Sequence, residues 1–361
     1  MRKKTTTLIS LALVAIITSS LSSFTKPTKG LKDYYKKYFP IGVAISSHDM
    51  TGENSELITR EFNSITAENS MKMGPIHPFE NVYDWKVPDS MASFARKNNL
   101  KFRGHCLVWH TQAPHWLYKD KEGKTATKQL LLERLKSHIH TVVNRYKNDI
   151  YAWDVVNEVI ADDTSFYRKS PLYEIAGEDF IEMAFRYAHQ AAPKARLFYN
   201  DYNTEQPHKR EKIYKMVKGL LAKGVPIHGV GLQGHWSIND PSRAEIEKSI
   251  SLFADLGLEI QITELDVSVY SGAEGGRIIR GKERKEVEPF TAEMEEKQLQ
   301  QYKMIFEVFR KYKKNITGVT FWNLSDRASW LDGRGRKNYP LLFDKNLKPK
   351  KVYYEVINFK K

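Results

Sequence analysis

Apolar residues recur along the chain in two alternating rhythms. Short runs rich in β-branched and aromatic residues read as buried strands: FPIGVAI from Phe39, FNSITAE from Phe62, FRGHCLVW from Phe102 and YAWDVVNE from Tyr151. RLFYNDY from Arg196, HGVGLQGH from His228, EIQITELDV from Glu259 and ITGVTFWN from Ile316 continue the series. Between them lie longer segments with apolar positions three and four apart, the spacing of an amphipathic helix. KQLLLERLKSHIHTVVNRY is one; EKIYKMVKGLLAKG and RAEIEKSISLFADLG are others, stopped by Gly224 and Gly257 as C-terminal caps. Eight strands alternating with helices predict an α/β fold, a (β/α)8 TIM barrel forming a single domain. An open doubly wound sheet is the alternative, but it wants a glycine-rich phosphate loop after its first strand, and no GxGxxG occurs.

Composition fits that reading: 361 residues, 41% hydrophobic and 12% aromatic, can bury a large core. The opening MRKKTTTLISLALVAIITSS places basic residues before a short apolar run and then small polar residues. This is the layout of a secretory signal peptide, expected over residues 1–23, with the barrel domain over 30–361 and a secreted or periplasmic location. The apolar run is too short to span a bilayer and no cysteine follows it, so no membrane anchor is expected. The net charge of +14 comes from scattered basic residues, and the densest group, Arg277 to Lys285, includes Glu283. A solvated loop explains it better than a nucleic-acid face, so no nucleic-acid partner is expected. Cys106 is the only cysteine, which excludes an internal disulfide. Without paired cysteines, HExxH or an EF-hand loop, neither a metal nor another cofactor is expected.

In a TIM barrel the chemistry sits where the strands end. Those ends are densely polar here. The second strand ends at Glu68-Asn69 with Lys72 just beyond, and the third runs into His105, Trp109, His110 and Gln112. Asn157-Glu158 ends the fourth, Asp201-Tyr202-Asn203 the fifth, and Gln233, His235 and Trp236 the sixth. Glu264 and Asp266 end the seventh; Trp322-Asn323 ends the eighth. Glu264 lies three βα units after Glu158, across the mouth of an eight-stranded barrel. Two facing carboxylates among tryptophans and amides can cleave a glycosidic bond, one protonating the leaving oxygen and the other attacking the anomeric carbon. Flat indole faces suit sugars, and a bulky wall where a glucose CH₂OH would sit favours xylose. A glycan-binding barrel that had lost catalysis would be expected to lack one glutamate, and both are present.

FNSITAENSMK, GHCLVWHTQAPHW, WDVVNE, YNDYN, GVGLQGH, ITELDV and VTFWNLSDRASWL resemble, in order, the strand-end motifs of glycoside hydrolase family 10, the retaining endo-β-1,4-xylanases. The resemblance runs from about Gly30 to the C-terminus. It implies Glu158 as acid/base and Glu264 as nucleophile, with His235, held by Asp266, on the nucleophile and Gln233 near the acid/base. It further implies that Asn157 holds the 2-hydroxyl of the sugar being cleaved, and that Lys72, His105, Trp109, Trp322 and Trp330 line that subsite. Glu68, Asn69 and Gln112 would bind the next sugar toward the non-reducing end. The implied partners are xylan and xylo-oligosaccharides, acted on by a monomer. β-Glucan remains the competing substrate, since a barrel alone does not fix specificity. Asn323 stands where the family often has Gly, and the loop from Tyr270 to Phe290 is longer than in a minimal member.

Overall fold

The computed structural model describes residues 29–270, 289–334 and 337–359. The predicted signal segment, 1–23, lies outside these residues, as do 271–288 of the long seventh loop, including the Arg277–Lys285 group. The strands are β1 (Ile41–Ile45), β2 (Ser64–Ala67), β3 (Lys101–Trp109), β4 (Ile150–Asn157) and β5 (Arg196–Asp201). They continue as β6 (Gly229–Leu232), β7 (His235–Ser237), β8 (Glu259–Ser268) and β9 (Ile316–Phe321). All pair in parallel, in the order β6-β5-β4-β3-β2-β1-β9-β8, and a further β6–β8 pairing closes the ring. The result is a closed (β/α)8 barrel.

One predicted strand differs from expectation. HGVGLQGH reads as a continuous sixth strand, but the ladder stops at Leu232 and resumes at His235 as β7, paired with β8. Gly234 between them has φ +80, a left-handed conformation that a side chain would strain. The break turns Gln233 and His235 toward two different neighbours, as the site requires.

Helices cover the barrel, and their ends follow the sequence. Helix Lys128–Tyr146 starts at Thr127, whose hydroxyl accepts from Leu130 N, and helix Arg243–Ala254 starts at a Ser242/Glu245 capping box. Helix Pro207–Ala222 stops just before Gly224 at φ +64. Among the described residues no helix is long and apolar enough to cross a membrane.

The barrel interior is not wholly apolar. Arg103 on β3, 1% exposed, is clamped by both oxygens of the fully buried Asp154 on β4, with Nη2 to Oδ1 at 2.6 Å. Its Nε donates to Gln261 Oε1 on β8 at 2.8 Å. A cation placed in the barrel is tolerable only with such full pairing. This layer is the floor on which the mouth residues stand.

Candidate active site

Glu158 is the first residue after β4, with φ +58. A non-glycine side chain in the left-handed region is strained and needs support from its surroundings. Its N–H donates to Asn200 O at 3.0 Å, which ties the turn to β5. The carboxylate accepts from Trp109 Nε1 at 2.8 Å on one oxygen and from Gln233 Nε2 at 2.9 Å on the other. Two neutral donors from β3 and the β6–β7 break thus fix the direction of a half-exposed carboxylate.

Glu264 sits on β8, 5% exposed, in a different setting. Asn200 Nδ2 donates to its Oε1 at 2.7 Å, and His235 Nε2 donates to its Oε2 at 3.1 Å. His235 in turn donates from Nδ1 to Asp266 Oδ2 at 2.9 Å, and Trp330 Nε1 donates to the same oxygen at 2.7 Å. Burial would raise the Glu264 carboxyl, but His105, His235 and Lys72 outweigh it and hold it well below the usual carboxylate range. Burial would likewise lower His235, yet Asp266 and Glu264 on either side raise it well above an ordinary imidazole. The resting arrangement is therefore an ionised Glu264 against an imidazolium.

β5 and β6 lie between the two glutamates, and the amides they carry join them. Asn200 reaches Asn157 Oδ1 at 2.9 Å as well as Glu264, while Gln233 reaches Glu158. Asn157, 1% exposed, sits at the centre of this bridge. A Cβ on Gly231 would come 2.3 Å from Asn200 Oδ1, so the glycine leaves room for that amide.

Lys72 is buried at 6% exposure, its Nζ 4.9 Å from the Trp109 ring centre and 5.9 Å from that of Trp322. It donates to Asn69 Oδ1 at 2.9 Å, and Gln112 Nε2 approaches the same oxygen at 3.4 Å. Glu68 is half-buried at the end of β2, where its N–H donates to Ile45 O. His105 stands on the floor layer, with Nδ1 2.9 Å from Asp154 Oδ2 and 3.9 Å from Glu264 Oε1, its ring edge-on to Trp322. Trp330 packs its ring against His235 with centroids 4.7 Å apart. Asn323 adopts φ +97 and accepts Trp330 N at 3.0 Å on its side chain. The substitution therefore keeps a backbone conformation suited to glycine and adds a tether for the tryptophan loop.

Several residues around the two glutamates were not anticipated: Asn200, the Arg103–Asp154 pair, and, around the Glu158 turn, Tyr199, Arg168 and Lys209, the last paired with the expected strand-end residue Asp201. Tyr199 accepts Val159 N and Ile160 N on its hydroxyl. Arg168 Nε donates to Glu158 O at 3.0 Å. Cys106 is buried and unbridged. Among the described residues no group of three or more His, Cys, Asp or Glu is placed to hold a metal ion.

A closed parallel barrel with two carboxylates at its mouth, joined by amides and walled by indoles, defines a barrel-fold glycoside hydrolase. Residues 30–359 match the family model for glycosyl hydrolase family 10, and the chain belongs to that family. It is 47% identical over 359 residues to a beta-1,4-xylanase of Dictyoglomus thermophilum, covering 96% of this chain and 97% of that one. It is 46% identical to endo-1,4-beta-xylanase A of Caldicellulosiruptor saccharolyticus, over 90% of this chain and 94% of the relative. Among solved structures, xylanase XynB from Paenibacillus barcinonensis, complexed with a conduramine derivative, superposes with a TM-score of 0.86 at 44% identity. That match covers 93% of this chain and 99% of the other. The endo-1,4-beta-xylanase of Caldicellulosiruptor owensensis gives 0.86 at 45%, over 92% and 100%.

Proposed function

We propose that the protein is a retaining endo-1,4-β-xylanase, cleaving internal bonds of xylan by double displacement with Glu264 as nucleophile and Glu158 as acid/base. The observation that carries this is the unequal setting of the two glutamates. Glu264 is surrounded by His105, His235 and Lys72 and kept ionised for attack, whereas the Glu158 carboxylate accepts its hydrogen bonds from the neutral donors Trp109 and Gln233. In the first step Glu264 Oε bonds to the anomeric carbon as that carbon's bond to the leaving oxygen breaks, and Glu158 gives its proton to that oxygen. The glycosyl ester removes the Glu264 charge. In the second step Glu158, now a carboxylate, takes a proton from water, which attacks the same carbon and releases Glu264. His235, oriented by Asp266, holds the nucleophile's second oxygen throughout.

Trp322, Trp330 and Trp109 support a cleavage subsite shaped for a pentose, with Lys72, His105 and Asn157 as its polar contacts, and Glu68, Asn69 and Gln112 serve the next sugar. The basic-then-apolar opening of residues 1–23 supports export to the periplasm or medium, and we propose that the enzyme acts there as a monomer. Reducing-sugar release from purified xylan, cellulose and mixed-linkage β-glucan tests the reading, with Glu264→Gln as control. Xylan alone should be cleaved rapidly, and the control should lose about 10⁴-fold or more while keeping its unfolding midpoint. Equal turnover of β-glucan, or an active Glu264→Gln, refutes it.

A further inference from the structure

The turn that carries Glu158 is held by residues to which the double displacement gives no role. Glu158 occupies a left-handed conformation at φ +58, so the two following amides, Val159 N and Ile160 N, point to one side, away from any strand partner. Both meet the same atom, the hydroxyl oxygen of Tyr199, at 3.1 and 3.3 Å. Tyr199 is fully buried on β5, and its own hydrogen goes to Asp201. One hydroxyl thus uses its single donor and both its acceptor positions. Asp201, itself fully buried, is held by Lys209 at 2.9 Å, which also reaches Asp162 at 2.9 Å.

The opposite side of the same peptide is held by Arg168. Arg168 Nε donates to Glu158 O at 3.0 Å, and its Nη2 donates to Tyr202 OH at 2.7 Å and pairs with Asp162 at 3.0 Å. Arg168 N also donates to Val159 O, closing a small hairpin in which Ile160 pairs with Tyr167. The amides after Glu158 and its carbonyl are therefore gripped from two sides by one connected group. Tyr199 and Arg168 meet the backbone of this turn, whereas the Glu158 carboxylate is held by Trp109 and Gln233.

We propose that Tyr199 and Arg168 are positioning residues for proton transfer: they hold the strained Glu158 backbone so that its carboxyl meets the leaving oxygen in line. The proposal rests on the acid/base reading of Glu158. Without the Tyr199 oxygen two buried amides lose their acceptor, and the left-handed turn relaxes. A displaced general acid loses most where the leaving group most needs a proton.

The test uses two substrates in the full-length enzyme: xylotetraose, with a sugar leaving group, and 2,4-dinitrophenyl β-xylobioside, whose leaving group needs almost no protonation. Tyr199→Phe and Arg168→Met should each lower kcat on xylotetraose about tenfold or more, yet slow pre-steady-state aryl release by less than about threefold, with KM near wild type. Glu158→Ala, measured alongside, should show the same split more strongly. A parallel fall on both substrates, or a rise in KM with kcat intact, overturns the positioning role. If Glu158→Ala splits and neither positioning variant does, this proposal alone fails. If Glu158→Ala itself shows no split, the acid/base reading fails and this proposal falls with it. Should Tyr199→Phe not fold, Arg168→Met decides the matter alone, since its side chain is partly exposed.

Discussion

Replacing Asp154 by Asn should cost the barrel several kcal/mol with almost no change of shape. Asp154 is fully buried and gives both oxygens to Arg103, which is 1% exposed, while Oδ2 also accepts from His105 at 2.9 Å. The amide removes the charge and one acceptor, leaving a buried guanidinium beside a new N–H donor. Removing one partner of a buried ion pair costs about 3–5 kcal/mol. The lower end applies here, because Gln261 still accepts from Arg103 and the Glu264 charge still acts on it. For a domain of about 330 residues the unfolding entropy is roughly 0.7 kcal/mol/K, so about 3 kcal/mol lowers Tm by about 4 °C. Differential scanning calorimetry at neutral pH measures this directly, and a parallel Arg103→Met/Asp154→Leu variant should recover much of the loss, since it leaves no unpaired charge. An Asp154→Asn enzyme with Tm within about 1 °C of wild type would show that Arg103 finds compensation elsewhere, and the floor layer would not depend on this pair.

His235→Gln should give a stability difference with a pH window. The depressed Glu264 carboxyl contributes above the unfolded value of about 4.3 and is lost as pH falls below it, while the raised His235 contributes below about 6.5 and is lost as pH climbs. The Tm difference from wild type should thus be largest between about pH 4.5 and 6.5 and shrink on both sides; a difference flat from pH 3 to 10 contradicts the ion pair. Proton NMR of the first product from xylotetraose should show the β-anomer, and initial release of the α-anomer would exclude double displacement.

The barrel, and the two glutamates at its mouth proposed as the catalytic pair, could be read because each strand is a greasy run that stops abruptly on polar residues. Asn157-Glu158 and Glu264-Leu265-Asp266 stand out against the apolar positions before them. What stayed hidden depends on register between strands. Asn200 lies inside RLFYNDY, ahead of the more conspicuous Asp201-Tyr202, and only the β4–β5 pairing of Asn157 with Asn200 puts its amide between the glutamates. Tyr199 reads as an ordinary core aromatic; its role follows from the left-handed turn at Glu158, which the residue type does not announce. The break at Gln233-Gly234 was invisible because GVGLQGHWS keeps strand character throughout. Arg103 and Asp154 did leave a signal: a charge in the middle of an apolar run needs a buried partner, and each run contains one.

The proposed double displacement requires a sugar to be covalently bound to Glu264 during turnover. Incubation with 2,4-dinitrophenyl 2-deoxy-2-fluoro-β-xylobioside, which forms the ester quickly and releases it slowly, followed by peptide mass spectrometry, tests it most directly. Stoichiometric release of the phenol, inactivation, and the fluoro-xylobiosyl mass on the peptide bearing Glu264 are expected, with no label on Glu264→Gln. Label on Glu158 or another residue, or steady turnover with no labelled peptide, would contradict it.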